Sequence, residues 1–173
     1  SNGPVGRLST EGLDLVYDAF SKEIGTGNNA NYLLDLFRKS YLDHQNLADA
    51  TRFLANELFK NEGLVIIDGD AKELKKLFVP YAKNELIHQT SFKKVNETLS
   101  LLENYNVQVN PREINLFYIQ DSLRERIVFE NGNYKINNTL LSFSESEILT
   151  ELEKNPENFS PNVILRPLYQ EII

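Results

Sequence analysis

The chain contains no cysteine, no methionine and no tryptophan, and only two histidines among its 173 residues. Without cysteine, disulfides, thiolate nucleophiles and thiolate metal sites are excluded within it. With no methionine, the chain is expected to be processed, tagged or excised, and it is read as a fragment. Long apolar runs are missing too. Leu64-Val65-Ile66-Ile67 is typical of the longest, far short of the ~20 residues a membrane-spanning helix needs. No charged-then-apolar leader opens the chain, so no secretory signal is expected. The sequons at Asn96, Asn137 and Asn158 are therefore assigned no glycan. Positive charge is scarce: 18 Lys and Arg against 25 Asp and Glu leave a net charge of -7. A surface of that sign repels phosphate backbones and anionic bilayers. Neither nucleic acid nor a membrane is expected as a partner. What is present is a 41% hydrophobic content, enough for the core of one ordinary globular domain.

Periodicity divides the chain. Leu13, Val16, Tyr17, Phe20 and Ile24 form a helical stripe, with Ser9 or Thr10 as its cap and Gly25 as its stop. Asn28 or Asn29 opens a second helix carrying Leu33, Leu36 and Phe37. Asn46 opens a third, which runs toward Gly63. Leu64 to Ile67 reads as a strand buried on both faces. Asp70 with Glu73 reads as a capping box that starts a helix at Ala71, and together these suggest half of a βαβ unit. Pro80 should break or kink that helix. A further helix is predicted from Ser91 to Tyr105, and a strand from Ile114 to Ile119. Segments 124–130 and 133–136 flank Asn131-Gly132, a type I′ hairpin signal. Ser144 with Glu147 caps a helix to about Lys154, and the end of the chain turns partly helical from Val163. The division expected is 1–62, mainly helical and readable as an insertion, and 63–173, α/β; one compact domain fits as well.

Candidate chemistry is sparse. His44 and His88 lie in separate helices without a set of acidic partners, so no metal site is predicted. Gly25-Thr26-Gly27 is too short for a phosphate cradle, and no Walker lysine or G-x-G-x-x-G is present. Asp68 and Asp70 follow the predicted strand, where α/β sheets place ligands, but turn and cap duties are the favoured reading of them. Arg124 and Arg126 share one strand face and can take a carboxylate or phosphate, or remain solvated. The most unusual stretch is 159–170, where Arg166 stands in an apolar segment between Asn162 and Gln170. A buried, unpartnered guanidinium is very costly, so Arg166 must reach solvent, an interior acid or an anionic ligand. A helix would align all three residues, four apart, although Pro167 disfavours helical angles at Arg166.

The run Ser160-Pro161-Asn162-Val163-Ile164-Leu165-Arg166-Pro167-Leu168-Tyr169-Gln170-Glu171 resembles the motif of the BshC family, cysteine-adding ligases of bacillithiol biosynthesis. Gly3-Pro4-Val5-Gly6-Arg7, Gly63 to Asp68, Leu74 to Leu77, Asn115 to Tyr118 and Arg124-Glu125-Arg126 match in order, so the likeness spans nearly the whole chain as a middle section. The resemblance implies an α/β fold: a Rossmann-like core fragment with an N-terminal helical segment and a β-hairpin. It implies a cytoplasmic bacterial enzyme that joins cysteine to glucosaminyl-malate, and a parent that pairs through a coiled coil. That coil, an acidic histidine-containing segment and a glycine-rich segment are absent here, so the fragment alone is expected to be inactive. The ligase would need an activating nucleotide such as ATP, for which these residues carry no motif. Under the resemblance, Asn162, Arg166 and Gln170, with Arg126 as a weaker member, bind an anionic substrate group, and the catalytic residues lie elsewhere. Two rival readings remain: a structural or interaction module of a larger enzyme, and a stand-alone small-molecule binding domain.

Overall fold

The computed structural model describes residues 3–102 and 104–173. They separate into two compact units, Gly3–Asp68 and Gly69–Ile173.

The first unit is helical. A 3-10 turn at Val5–Arg7 precedes α1 (Leu13–Glu23) and α2 (Ala30–Phe37). A π-helical turn, Arg38–Leu42, extends α2, and α3 (Leu47–Phe59) follows. Asn46 caps α3 as predicted, accepting from the Asp49 amide at 2.9 Å. Ser9 and Thr10 do not cap α1: its N-cap is Gly12, with a positive φ of 86°. Thr10 instead donates its hydroxyl to the His44 carbonyl, and Ser9 bridges to Asn46. Ala30, Leu36 and Ala50 are buried, and half-buried aromatic rings cluster beside them, with the Phe37 ring 5.5 Å from Phe20 and 5.1 Å from Tyr41. These separations lie in the range that favours offset or tilted pairs.

The run Leu64–Ile67 is not a strand. It takes no regular secondary structure and has no sheet partner among the described residues, and Val65 is 81% exposed. Its β-branched residues favour extended angles, but a strand needs a neighbour to receive its backbone groups. No neighbour is supplied among the described residues, and the predicted βαβ half-unit does not form.

The second unit begins with α4 (Lys72–His88) and α5 (Thr90–Leu101), joined at Gln89 in a left-handed conformation with φ 52°. Asp70 does not cap α4; Ala71 occupies that position without a side-chain bond. Pro80 lies inside α4, which continues through it. Pro80 and Lys76, whose carbonyl it orphans, are both exposed, so water can take the place of the lost donor. The predicted extension of α5 to Tyr105 crosses Glu103, which is outside the described residues. Five antiparallel strands follow: β1 (Leu116–Gln120), β2 (Leu123–Glu130), β3 (Asn133–Ile136), β4 (Ser142–Phe143) and β5 (Phe159–Pro161). Their order is β4-β3-β2-β1-β5. Asn131 and Gly132 both have positive φ, 52° and 79°, as the two-residue hairpin requires. Helix α6 (Glu145–Lys154) lies between β4 and β5 in sequence, and α7 (Arg166–Ile172) ends the chain.

Alternation along these strands explains the layers. Leu116, Tyr118, Ile127, Tyr134, Ile136 and Phe159 share one sheet face and pack with Phe78, Ala82 and Leu86 of α4 and Ile148 and Leu152 of α6. The opposite face carries Phe117, Arg124, Arg126, Val128 and Lys135. The Tyr118 hydroxyl donates to Glu151 at 3.0 Å, and burial, aided by that carboxylate, pushes its pKa up to about 12.

The capping box of α6 is complete. The Ser144 amide and hydroxyl donate to Glu147 Oε2 at 2.7 Å, and the Glu147 amide returns a bond to the Ser144 hydroxyl. These bonds hold the Glu147 carboxyl below its ordinary range. A depressed carboxylate stabilises the fold above its unfolded pKa and loses that effect as pH falls through the folded one. Ser144→Ala should cost about 1 kcal/mol at neutral pH. The difference in melting temperature between the two forms should shrink on acidification below the folded Glu147 pKa. Thermal melts at neutral and acid pH measure this.

Candidate functional site

The C-terminal motif is anchored by two buried clusters, and both begin on α4. One face of that helix carries Lys75, Phe78, Ala82 and Glu85, spaced so that all four point inward.

Lys75 is the buried cation of this unit, with only 3% of its side chain exposed. Its ammonium donates to the Phe159 carbonyl at 2.8 Å, lies 3.5 Å from Asp70 Oδ1 and sits 5.6 Å from the centre of the Tyr169 ring. Tyr169 in turn donates its hydroxyl to the Gly69 carbonyl at 2.6 Å and packs edge-on against Phe78. A carboxylate, a carbonyl and an aromatic face together offset the cost of removing the ammonium from water. The result ties α7 to the start of α4 and to β5.

The second cluster centres on Asn115, fully buried just before β1. Its backbone amide and its side-chain Nδ2 both donate to Glu85 Oε1, at 3.0 and 3.1 Å. Ser91 adds its amide to Glu85 Oε2 at 2.9 Å, and its hydroxyl bonds Oε1. Ser91 lies in the first turn of α5, where a helix dipole favours negative charge. Asn115 Oδ1 then accepts from Asn162 Nδ2 at 2.8 Å, and the Asn115 carbonyl accepts from the Asn162 amide at 3.0 Å.

The sequence-predicted site residues separate accordingly. Asn162 precedes α7 and turns inward. Its Oδ1 accepts from the Ile164 amide at 2.9 Å, so both ends of its side chain serve the turn. Arg166 begins α7, with Pro167 in the first helical turn, where the missing amide costs nothing. Arg166 and Gln170 are both exposed, four apart on one helix, and no ion pair forms at Arg166 among the described residues. Of the three destinations open to the guanidinium, the structure takes solvent. Arg126 is exposed on β2 opposite Phe117, whose other neighbour is Ser160 of β5, so the sheet sets it two strands from the motif. Arg124 lies 3.8 Å over the Phe117 ring. His88 is exposed at the end of α4, and Gly25 to Gly27 form a plain turn between α1 and α2. Asp68 ends the helical unit, while Asp70 serves Lys75. Among the described residues no group of three metal-ligating side chains forms.

The sequence reading gave no role to Lys75 and Glu85, because charged helix positions are ordinarily solvated, nor to Asn115 and Tyr169, which it quoted only as parts of the family-like segments. The available signal was weak: Lys75 and Glu85 fall on the apolar stripe of α4 rather than opposite it. Asn115→Leu should destabilise the fold by about 3 kcal/mol, since it takes one donor from a buried carboxylate and leaves the Arg112 amide and the Asn162 side chain without their buried acceptor. Arg166→Ala should stay within about 0.5 kcal/mol, as expected of an exposed side chain. Urea unfolding of both variants tests the contrast.

Comparison with known proteins agrees with the architecture. All 173 residues match the family model described as bacillithiol biosynthesis BshC, N-terminal Rossmann-like domain. Relatives bearing the name "Putative cysteine ligase BshC" include one from Flavobacterium johnsoniae, 66% identical over the whole chain and 33% of its own length. Another from Flavobacterium psychrophilum is 63% identical with the same coverage. A more distant one from Salinibacter ruber is 34% identical over 98% of the chain and 32% of its own length. The chain thus spans about a third of the length of the relatives it matches. The α/β chain described here, with its helical unit and its five-stranded sheet, belongs to the BshC family and falls within its N-terminal Rossmann-like domain.

Proposed function

We propose that the chain is part of a bacterial, cytoplasmic ligase that adds cysteine to glucosaminyl-malate through an amide bond. Arg166 and Gln170 receive an anionic substrate group such as the malyl carboxylate, and Arg126 assists. The reading is carried by family membership over all 173 residues together with an exposed guanidinium at a helix start whose backbone is held by buried groups. Such a cation is oriented without being consumed by an internal partner, which is the state an anion-binding residue needs before its ligand arrives. Asn162 acts here as a positioning residue, because its amide group is committed to Asn115 and to the turn.

A carboxylate is a poor acyl donor, so the ligase uses an activating nucleotide, held by parts of the protein beyond these residues. The catalytic groups lie there as well, and the segment alone is inactive. The parent forms a homodimer through a coiled coil, and residues 1–62 are a mainly helical insertion preceding the 63–173 part of the core in sequence. In a full-length family member, the counterpart of Arg166→Ala should lower cysteine addition by about 10- to 100-fold, the loss expected from ~1.5–3 kcal/mol of charge-assisted bonding. Circular dichroism should be unchanged. Wild-type turnover in a folded variant removes Arg166 from the site.

An interaction role has its own support in the exposed run Leu64–Ile67, where Leu64 is 50% and Ile67 54% accessible. Single apolar residues on a surface are ordinary, but a contiguous run calls for a cover.

A further inference from the structure

Leu64, Val65 and Ile67 stand exposed in one continuous run, and the main chain beneath them is open as well. Among the described residues, no amide or carbonyl of Leu64 to Ile67 bonds to another backbone group. Solvent must satisfy all of them. The composition suits a different place. A continuous β-branched run is what a strand buried on both faces carries, and such a strand has a neighbour on each side. Beside the run opens an apolar cleft of about 370 Å³, lined chiefly by Val5, Leu47, Ala48, Ala55 and the run's own Ile66 and Ile67. Side chains and main chain of one segment thus lack a cover together.

The family gives that lack a shape. A Rossmann-like sheet is built of parallel strands, each leading through a turn into a helix. The five described strands pair only antiparallel. Leu64 to Ile67, the turn Asp68-Gly69-Asp70 and α4 follow one another in the order that a parallel sheet repeats. The strands beside the run are what is missing. The chain covers 33% of the Flavobacterium johnsoniae relative, so most of such a protein lies outside these residues and can supply them. A second copy fits less well. Two copies about a twofold axis give each run one neighbour, whereas an interior strand needs two. Each copy also carries a net charge of -7, and like charges repel.

Resting on the interaction role given to the run above, we infer that Leu64–Ile67 is an interior strand of the parent's sheet. Its occupants are uncharged, apolar strands from the part of the parent beyond these residues, which take up its free amides and carbonyls. The pairing bears on the anion site. Tyr169 of α7 donates to the Gly69 carbonyl, in the turn that follows the run. Fixing the run in a sheet therefore fixes the turn on which the helix of Arg166 rests, and ligands of open α/β sheets lie beyond the carboxyl ends of strands.

Hydrogen exchange read by mass spectrometry tests this, with the 173-residue chain set against the full-length parent. In the chain, the amides of Val65 to Ile67 should exchange as fast as those of an unstructured peptide. In the parent they should exchange at least about 100-fold more slowly. Amides of β2, protected in both, certify the fold. Val65→Thr keeps the shape and the β-branching and adds a hydroxyl. It should leave the melting temperature of the chain unchanged and lower that of the parent by about 2 °C or more. Equal exchange in the two proteins removes the interaction role and the strand together. Protection that arises in the chain alone at high concentration, with doubled mass, keeps the interaction role and overturns the strand by making a second copy the cover. Free exchange in a parent that Val65→Thr still destabilises means a cover over the side chains only, which also overturns it. Turnover unaffected by Arg166→Ala would remove the anion site and leave the exchange result standing.

Discussion

A buried carboxylate with no cation paired to it among the described residues is the constraint around which the second unit is arranged. Glu85 lies 2% exposed on the inner face of α4 and is satisfied by the amide and side chain of Asn115 and by Ser91 at the start of α5. The donors come in pairs from two places, Ser91 of α5 and Asn115 beside β1, so the helix pair and the first strand must meet at one point for the charge to be tolerated. Asn115 then passes the arrangement on. Its remaining oxygens accept from Asn162, which sets where the last turn begins and hence where α7 points. The exposure of Arg166 is a downstream effect of this inner polar joint.

Lys75 provides a counterpart at the other end of the same helix. The two buried charges on α4 are not paired with each other. Lys75 is met by Asp70, a strand carbonyl and the Tyr169 ring, and Glu85 by amides and a hydroxyl. Separate satisfaction specifies more than mutual pairing does, because each charge demands its own set of partners from distant parts of the chain. The helix is pinned at two places, with the apolar residues Phe78 and Ala82 packed between. The first unit uses a different principle, clustering half-buried rings around Phe37 with few polar demands.

Local signals in the sequence were reliable where the physics was local. The Asn46 cap, the Ser144–Glu147 box and the Asn131-Gly132 hairpin depend on a few adjacent residues, and each forms as read. Errors arose where a distant partner decides. Leu64 to Ile67 has the composition of an interior strand but no neighbour to pair with among the described residues, so it forms no strand and leaves Leu64, Val65 and Ile67 exposed. Ser9 and Thr10 have good capping chemistry, yet they turn to the segment before α3. Asp70 seemed a helix cap and became the counterion of Lys75. In the candidate site, the sequence singled out Asn162, Arg166 and Gln170 as a set, and the structure divides them into one inward clamp and two outward groups.

The amino-acid sequence by itself determined the α/β character, the placement of most helices, the hairpin and the family, because period, caps and motif order are properties of neighbours along the chain. Tertiary structure alone decided that the buried charges are Lys75 and Glu85 rather than Arg166. It also decided that the five strands run antiparallel. Burial and hydrogen-bond satisfaction depend on which remote segments arrive at the same place, and a single string of residues does not record that meeting.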